Sequence, residues 1–143
     1  SPEALNTLAA SYVYANNYEK AVELLQAATL PEARYNLGLL KAKQRKLSEA
    51  YKLLRPFADL NSAIVALSVN QNNEAAKVLS SLKDKSPIAE YVRSLTGARL
   101  QQDTFFYQHI ENACQDGALR QRAATEADFY RYREADAFKN LIK

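Results

Sequence analysis

ARYNLGLLKAKQRKLSEA, residues 33–50, decides the fold. Strong helix formers stand at both ends, yet Gly38 interrupts an apolar run in a chain with only three glycines. A glycine inside a helix costs roughly 1 kcal/mol relative to alanine. The loss is offset if a second helix packs where the side chain is missing. The spacing predicts that partner in the same stretch. Arg45 and Lys46 form a turn, and the helix that follows brings Ala50 and Leu54 back against Gly38.

The same arrangement recurs toward the N-terminus. Leu5, Leu8, Ala9 and Tyr12 fall at i, i+3, i+4 and i+7, one face of a helix. Asn16-Asn17 offers a turn, and Tyr18, Ala21, Leu25 and Ala28 make a second stripe. Leu8 to Ala21 and Leu37 to Ala50 are both 13 residues apart, so both helices of the first pair match the second at one offset of 29 residues. Pro31 closes one pair and opens the next, because its fixed φ suits a first helical turn.

Two further pairs follow. Leu60, Ile64 and Leu67 mark a helix over about 59–70, and Ala75, Leu79 and Leu82 repeat the second-helix pattern after Asn70-Gln71-Asn72-Asn73. Ser86-Pro87 reads as an N-cap with its N1 proline. Tyr91, Val92, Leu95 and Leu100 then supply a first helix; Phe106, Ile110 and Ala113 supply a second, and Asp116-Gly117 is expected to close it. The expected units are about 1–31, 32–58, 59–84 and 85–117, within one domain spanning 1–143. The tail, 118–143, breaks the pattern. It carries Phe129, Tyr132, Phe138, Leu141 and Ile142 among six basic and four acidic residues. Stacked helix pairs need a polar-backed cap at their end, and short helices in the tail are expected to provide it.

Composition agrees with an all-α chain. Apolar residues make up 48% of 143 residues, while three glycines and four prolines leave little material for β-turns. No apolar run is long enough to span a membrane. The chain contains no methionine, so it is expected to begin inside a longer gene product.

The pattern W-x2-L-G-x2-Y…A-x3-F…P marks the tetratricopeptide repeat (TPR) family, and the chain resembles it best over 33–54. There YNLG is followed at the right spacing by Ala50 and Leu54; the first pair keeps Leu8, Tyr12, Tyr18, Ala21 and Ala28, with Ala9 in the glycine position. No pair has the tryptophan, and the repeats are shorter than the family's. The resemblance implies a right-handed superhelix of about four TPR-like helix-turn-helix units with a C-terminal helical cap. Leu8, Ala21, Leu37, Gly38, Ala50 and Leu54 would be its structural repeat positions. Together with LNSAIVALSVNQNNEAAKVL and AEYVRSLTGARLQQD, the closing run TEADFYRYREADAFKNLIK is similar to the C-terminal part of exported TPR proteins of Bacteroidetes. That implies an exported protein of the cell envelope, in the periplasm or at the outer membrane.

Catalytic chemistry has no constellation to stand on. His109 and Cys114 are the only His and Cys, five residues apart, too few for a metal site. His109 is expected to be structural or solvent-facing and Cys114 a buried filler. The tail carboxylates Glu126, Asp128, Glu134 and Asp136 are expected in exposed ion pairs with the interleaved Arg131 and Arg133. No Gly-rich phosphate loop exists. No enzyme activity, metal or cofactor is expected. A net charge of +3, from 19 basic and 16 acidic residues, does not argue for nucleic acid.

What remains is recognition of a protein or peptide. First helices line the concave face of stacked pairs, where Tyr14, Tyr35, Leu39 and Lys43 form candidate partner-binding stripes at i, i+4 spacing. Arg45 and Lys46 extend them in a basic strip over 41–55, in which Lys41, Lys43, Arg45, Lys46, Lys52 and Arg55 face only Glu49. The carboxylate clamp of chaperone-cofactor TPR domains is not expected: Asn6 and Ala10 stand where lysine and asparagine are needed, and only Asn36 matches. Two other readings compete with a binding scaffold. One is a structural spacer or oligomerisation module of a larger envelope protein. The other is an accessory domain that binds an anionic glycan through the 41–55 strip.

Overall fold

The structure, a computed structural model, describes Ala9, residues 17–27 and residues 30–143. The secondary-structure elements of the described residues are all helical, with no strand among them. Leu8 and Tyr14 lie outside them. The chain divides into two compact units, Ser1–Asn70 and Gln71–Lys143. The division falls inside the third expected pair, 59–84.

In the N-terminal unit, α1 (Tyr18–Ala27), α2 (Pro31–Lys43), α3 (Leu47–Leu54) and α4 (Leu60–Ser68) follow one another, with a 3-10 turn at Arg55–Phe57. Asn17 stands before α1, its side chain 3.4 Å from the Lys20 N–H. Pro31 opens α2 as its N1 residue. Ala21, Leu25, Ala33, Leu37 and Leu40 pack with Ala9 into one apolar core, and Ala50, Leu54 and Val65 form the next.

The α2–α3 turn is a left-handed helix end. Arg45 takes φ 64°, its N–H donates to the Ala42 carbonyl at 3.0 Å, and the Lys46 N–H donates to the Lys41 carbonyl at 2.8 Å. Orphan carbonyls of the last turn are thereby satisfied. Five residues after Arg45 comes Ala50, and nine after comes Leu54, both fully buried.

Gly38 was expected to face Ala50 and Leu54; the side chains nearest to it are those of Leu54 and Leu53. A Cβ built on Gly38 would lie 2.7 Å from Leu54 Cγ and Cδ2 and 3.2 Å from Leu53 Cβ. Leu54 is itself fully buried and has nowhere to retreat. Gly38→Leu is therefore expected to cost about 3 kcal/mol through overpacking, read as a lowered midpoint in urea or thermal denaturation. An unchanged midpoint would sink the helix-pair account of this stretch.

The C-terminal unit holds α5 (Asn72–Ser81), α6 (Pro87–Arg99), α7 (Asp103–Ala113), α8 (Gly117–Ala123), a 3-10 segment at Ala127–Tyr132 and α9 (Asp136–Leu141). Ser86 caps α6, accepting from the Ala89 N–H at 3.3 Å. The α6–α7 turn repeats the α2–α3 geometry. Gln101 has φ 56°; its N–H donates to Ala98 at 3.2 Å, and the Gln102 N–H donates to Gly97 at 2.8 Å. Phe106 and Ile110 follow at the same five and nine residues, fully buried. Asn70, φ 62°, precedes Ala75 and Leu79 by the same distances, and both are buried.

Two local expectations are corrected. Asp116-Gly117 does not close a pair; Asp116 caps α8 by accepting from the Leu119 N–H at 3.0 Å, and Gly117 is the first residue of that helix. The tail carboxylates do not pair with the interleaved arginines. Asp128 meets Arg99 at 3.1 Å, Arg131 meets Asp103 at 3.0 Å, and Arg133 donates to the Glu126 carbonyl at 2.7 Å. Asp128 and Arg131 reach across to α6 and α7 because the tail folds back onto them, while Glu126 and Glu134 pair within the tail, with Arg122 at 3.6 Å and Lys139 at 3.3 Å. Phe129, Tyr132 and Phe138 are buried there against Phe106, and Tyr132 stacks on it at 3.7 Å between centroids.

Candidate functional site

The structure separates the sequence candidates on α2 and its turn into two groups. Tyr35 is half-buried and fully engaged. Its hydroxyl donates to Asp59 Oδ2 at 2.5 Å and accepts from Asn61 Nδ2 at 2.8 Å, and its ring meets Phe57 edge-on at 4.9 Å. Asp59 is also the N-cap of α4, in a reciprocal capping box with Ser62. Tyr35 thus ties α2 to the start of α4. Burial, and then the bond to Asp59, raises the phenol's pKa above its ordinary value. Leu39 packs against the core of Ala50, Leu54 and Val65.

Lys43, Arg45 and Lys46 are exposed. Lys43 Nζ lies 5.8 Å from the centre of the Tyr18 ring. Within the 41–55 strip, Lys41 is buried and paired with Glu49 at 3.2 Å, and Arg55 sits 6.0 Å from the Tyr51 ring centre. The side chains of Arg45, Lys46 and Lys52 have no partner among the described residues. The accessible positive charge is thus concentrated at the α2–α3 turn and on α3.

The C-terminal unit contains a site that the sequence reading missed. Helix α6 is buried on almost every side, including Glu90 and Arg93, which are 4% and 6% exposed. Both charges are satisfied locally. Arg93 donates to the carbonyls of Asp84 and Leu82 at 2.5 and 3.0 Å, and its Nη1 lies 3.8 Å from Glu90 Oε1. Glu90 Oε2 is in contact with His109 Nδ1 from α7. Phe105 packs beside the imidazole at 4.2 Å between ring centroids. These side chains line an open cavity of about 430 Å³ with Leu79, Leu82, Lys85 and Thr96. His109 is therefore held by a buried carboxylate. The signal lay in AEYVRSLTGAR, where small residues replace the exposed lysines and glutamates of an ordinary surface helix.

Other reactive groups are quiet. Cys114 is buried, and burial raises its thiol pKa above the usual value, so the thiolate is disfavoured. Tyr91 is pushed up by burial and then by Glu126, to which it donates at 3.0 Å. Asp103 is held low by its bond to Arg131 and then by Tyr132. Among the described residues, no three His, Cys, Asp or Glu side chains are placed to hold a metal, and no helix is long and apolar enough to cross a membrane.

Compared with known proteins, the chain matches no family model and no curated protein.

Proposed function

We propose that the chain is a non-catalytic scaffold that binds a protein or peptide partner of the cell envelope, built as a right-handed superhelix of about four TPR-like helix pairs with a C-terminal cap. The observation that carries the reading is the recurrent register after a left-handed residue. Arg45, Asn70 and Gln101 each precede a buried residue at five positions and a second at nine. A repeated turn with a repeated buried spacing is the local condition for stacking helix pairs in an array. Arrays of this kind present extended surfaces suited to peptides. Placement in the envelope rests on the sequence resemblance alone.

The basic turn is the face on which contact is expected, because Lys43 and Lys46 are exposed whereas Tyr35 and Leu39 are committed to packing. Lys43→Glu together with Lys46→Glu is expected to weaken partner capture from an envelope extract at least about tenfold. Lys77→Glu, on the other unit and outside its cavity, is expected to leave capture unchanged. Circular dichroism of each variant checks the fold. Capture indifferent to the Lys43 and Lys46 reversals would refute this face. Self-association in sedimentation with no captured partner would favour a structural spacer instead.

A further inference from the structure

The cavity among α5, α6 and α7 has the chemistry of a ligand site, and it does not depend on the scaffold reading. Its volume, about 430 Å³, falls in the range of small-molecule pockets. Leu79, Leu82 and Phe105 give it apolar walls, and Lys85 stands exposed at its lip. The buried charges Glu90 and Arg93 offset each other, so with a neutral His109 the lining carries one net positive charge, that of Lys85. Glu90 engages His109 at Nδ1, which leaves Nε2 as the ring's remaining polar atom. Nε2 has no hydrogen-bond partner among the described residues and is not closed off from solvent. A buried carboxylate that orients one ring nitrogen so that the other meets a ligand is a recurrent way of setting an imidazole.

We infer that this cavity binds a small apolar carboxylate, its chain against Leu79, Leu82 and Phe105 and its head between His109 Nε2 and Lys85. A neutral His109 that donates through Nδ1 to Glu90 presents a bare lone pair at Nε2, which repels a carboxylate. The bound form is therefore the imidazolium, with the Nε2 proton taken up wherever the free ring lacks it, and it bridges Glu90 and the ligand. The charged groups facing it are Glu90 and Arg93 from α6 and Lys85 from the α5–α6 connection; α5 and α7 contribute no other charge to the lining. Affinity for the carboxylate falls as pH rises, because the proton taken up becomes scarcer.

Titration calorimetry of the full chain with decanoate tests this. Decanoate is expected to bind about tenfold tighter at about pH 6 than at about pH 8, with proton uptake revealed by buffers of different ionisation enthalpy. Decanamide and decanol are expected to bind at least about tenfold more weakly than decanoate near the lower pH. His109→Gln is expected to abolish the proton uptake and the pH dependence. Lys85→Ala, at an exposed position that spares the fold, is expected to weaken decanoate about threefold. Peptides with an apolar last residue, as free acid or amide, distinguish the source of the chemistry. Tighter binding of the free-acid peptide assigns the cavity to a chain terminus, and tighter binding of decanoate assigns it to a free acid. Decanamide binding as tightly as decanoate would overturn the inference, as would pH dependence unchanged in His109→Gln. So would the failure of both decanoate and the free-acid peptide to shift the amide resonances of Leu79 and Phe105.

Discussion

Phe106→Ala is expected to lower the stability of the C-terminal unit by about 3–5 kcal/mol. Phe106 is fully buried, and nearly every aromatic ring of the tail meets it. Tyr132 stacks on it at 3.7 Å with planes 5° apart, Phe129 lies edge-on at 5.0 Å, and Phe138 packs at 6.1 Å. Truncation removes the transfer energy of the ring and opens a cavity whose walls are rigid aromatic side chains. Such walls collapse poorly, which places the cost high in the range. The tail would lose its anchor first, so amide exchange across 127–141 should accelerate more than exchange in α6. Tyr130, two residues before Tyr132, is 81% exposed, and Tyr130→Ala should change stability by no more than about 0.5 kcal/mol. A Phe106→Ala loss below about 1 kcal/mol, with tail amides still protected, would show that the tail is held by its polar contacts instead.

Glu90→Ala is expected to cost about 3 kcal/mol or more, the range for removing one partner of a buried charge pair. The carboxylate offsets Arg93, which is itself 6% exposed, and engages His109. Without it the guanidinium keeps its bonds to the Leu82 and Asp84 carbonyls but loses its counter-charge. Glu90→Gln keeps the shape and should lose less. The informative comparison is the double variant Glu90→Ala with His109→Ala. Because the two residues share one contact, its loss should be smaller than the sum of the single losses, by at least about 0.5 kcal/mol. Strict additivity in urea denaturation would mean that the pair contributes nothing as a unit.

These two sites differ in how far they could be foreseen. Phe106 announced itself by spacing, since Phe106, Ile110 and Ala113 repeat the Ala50, Leu54 and Phe57 pattern. Only the register was legible, however. That three tail aromatics converge on Phe106 depends on how the 3-10 segment and α9 fold back. Glu90 and Arg93 gave no comparable warning. Charged residues three apart on a helix are ordinary surface features, and only the neighbours on every side of α6 turn them into a buried pair. Tyr35 shows the reverse case. Its place on the α2 stripe suggested an outward contact, but Asp59 and Asn61, 24 and 26 residues later, take up its hydroxyl.

The amino-acid sequence by itself determined the helical character, the turns before Leu47 and Asn72, and the two leading buried positions of each second helix. Each depends on interactions within a few residues: capping by Ser86, proline at Pro31 and Pro87, and apolar spacing from Ala21 to Ile110. The tertiary structure decided which polar groups meet. It set Glu90 against His109, Tyr35 against Asp59, and Asp103 against Arg131 and Tyr132. The physical reason is range. Helix propensity and period act along the chain, whereas the fate of a charge or hydroxyl is set by the neighbours that folding brings to it and by the water that folding removes.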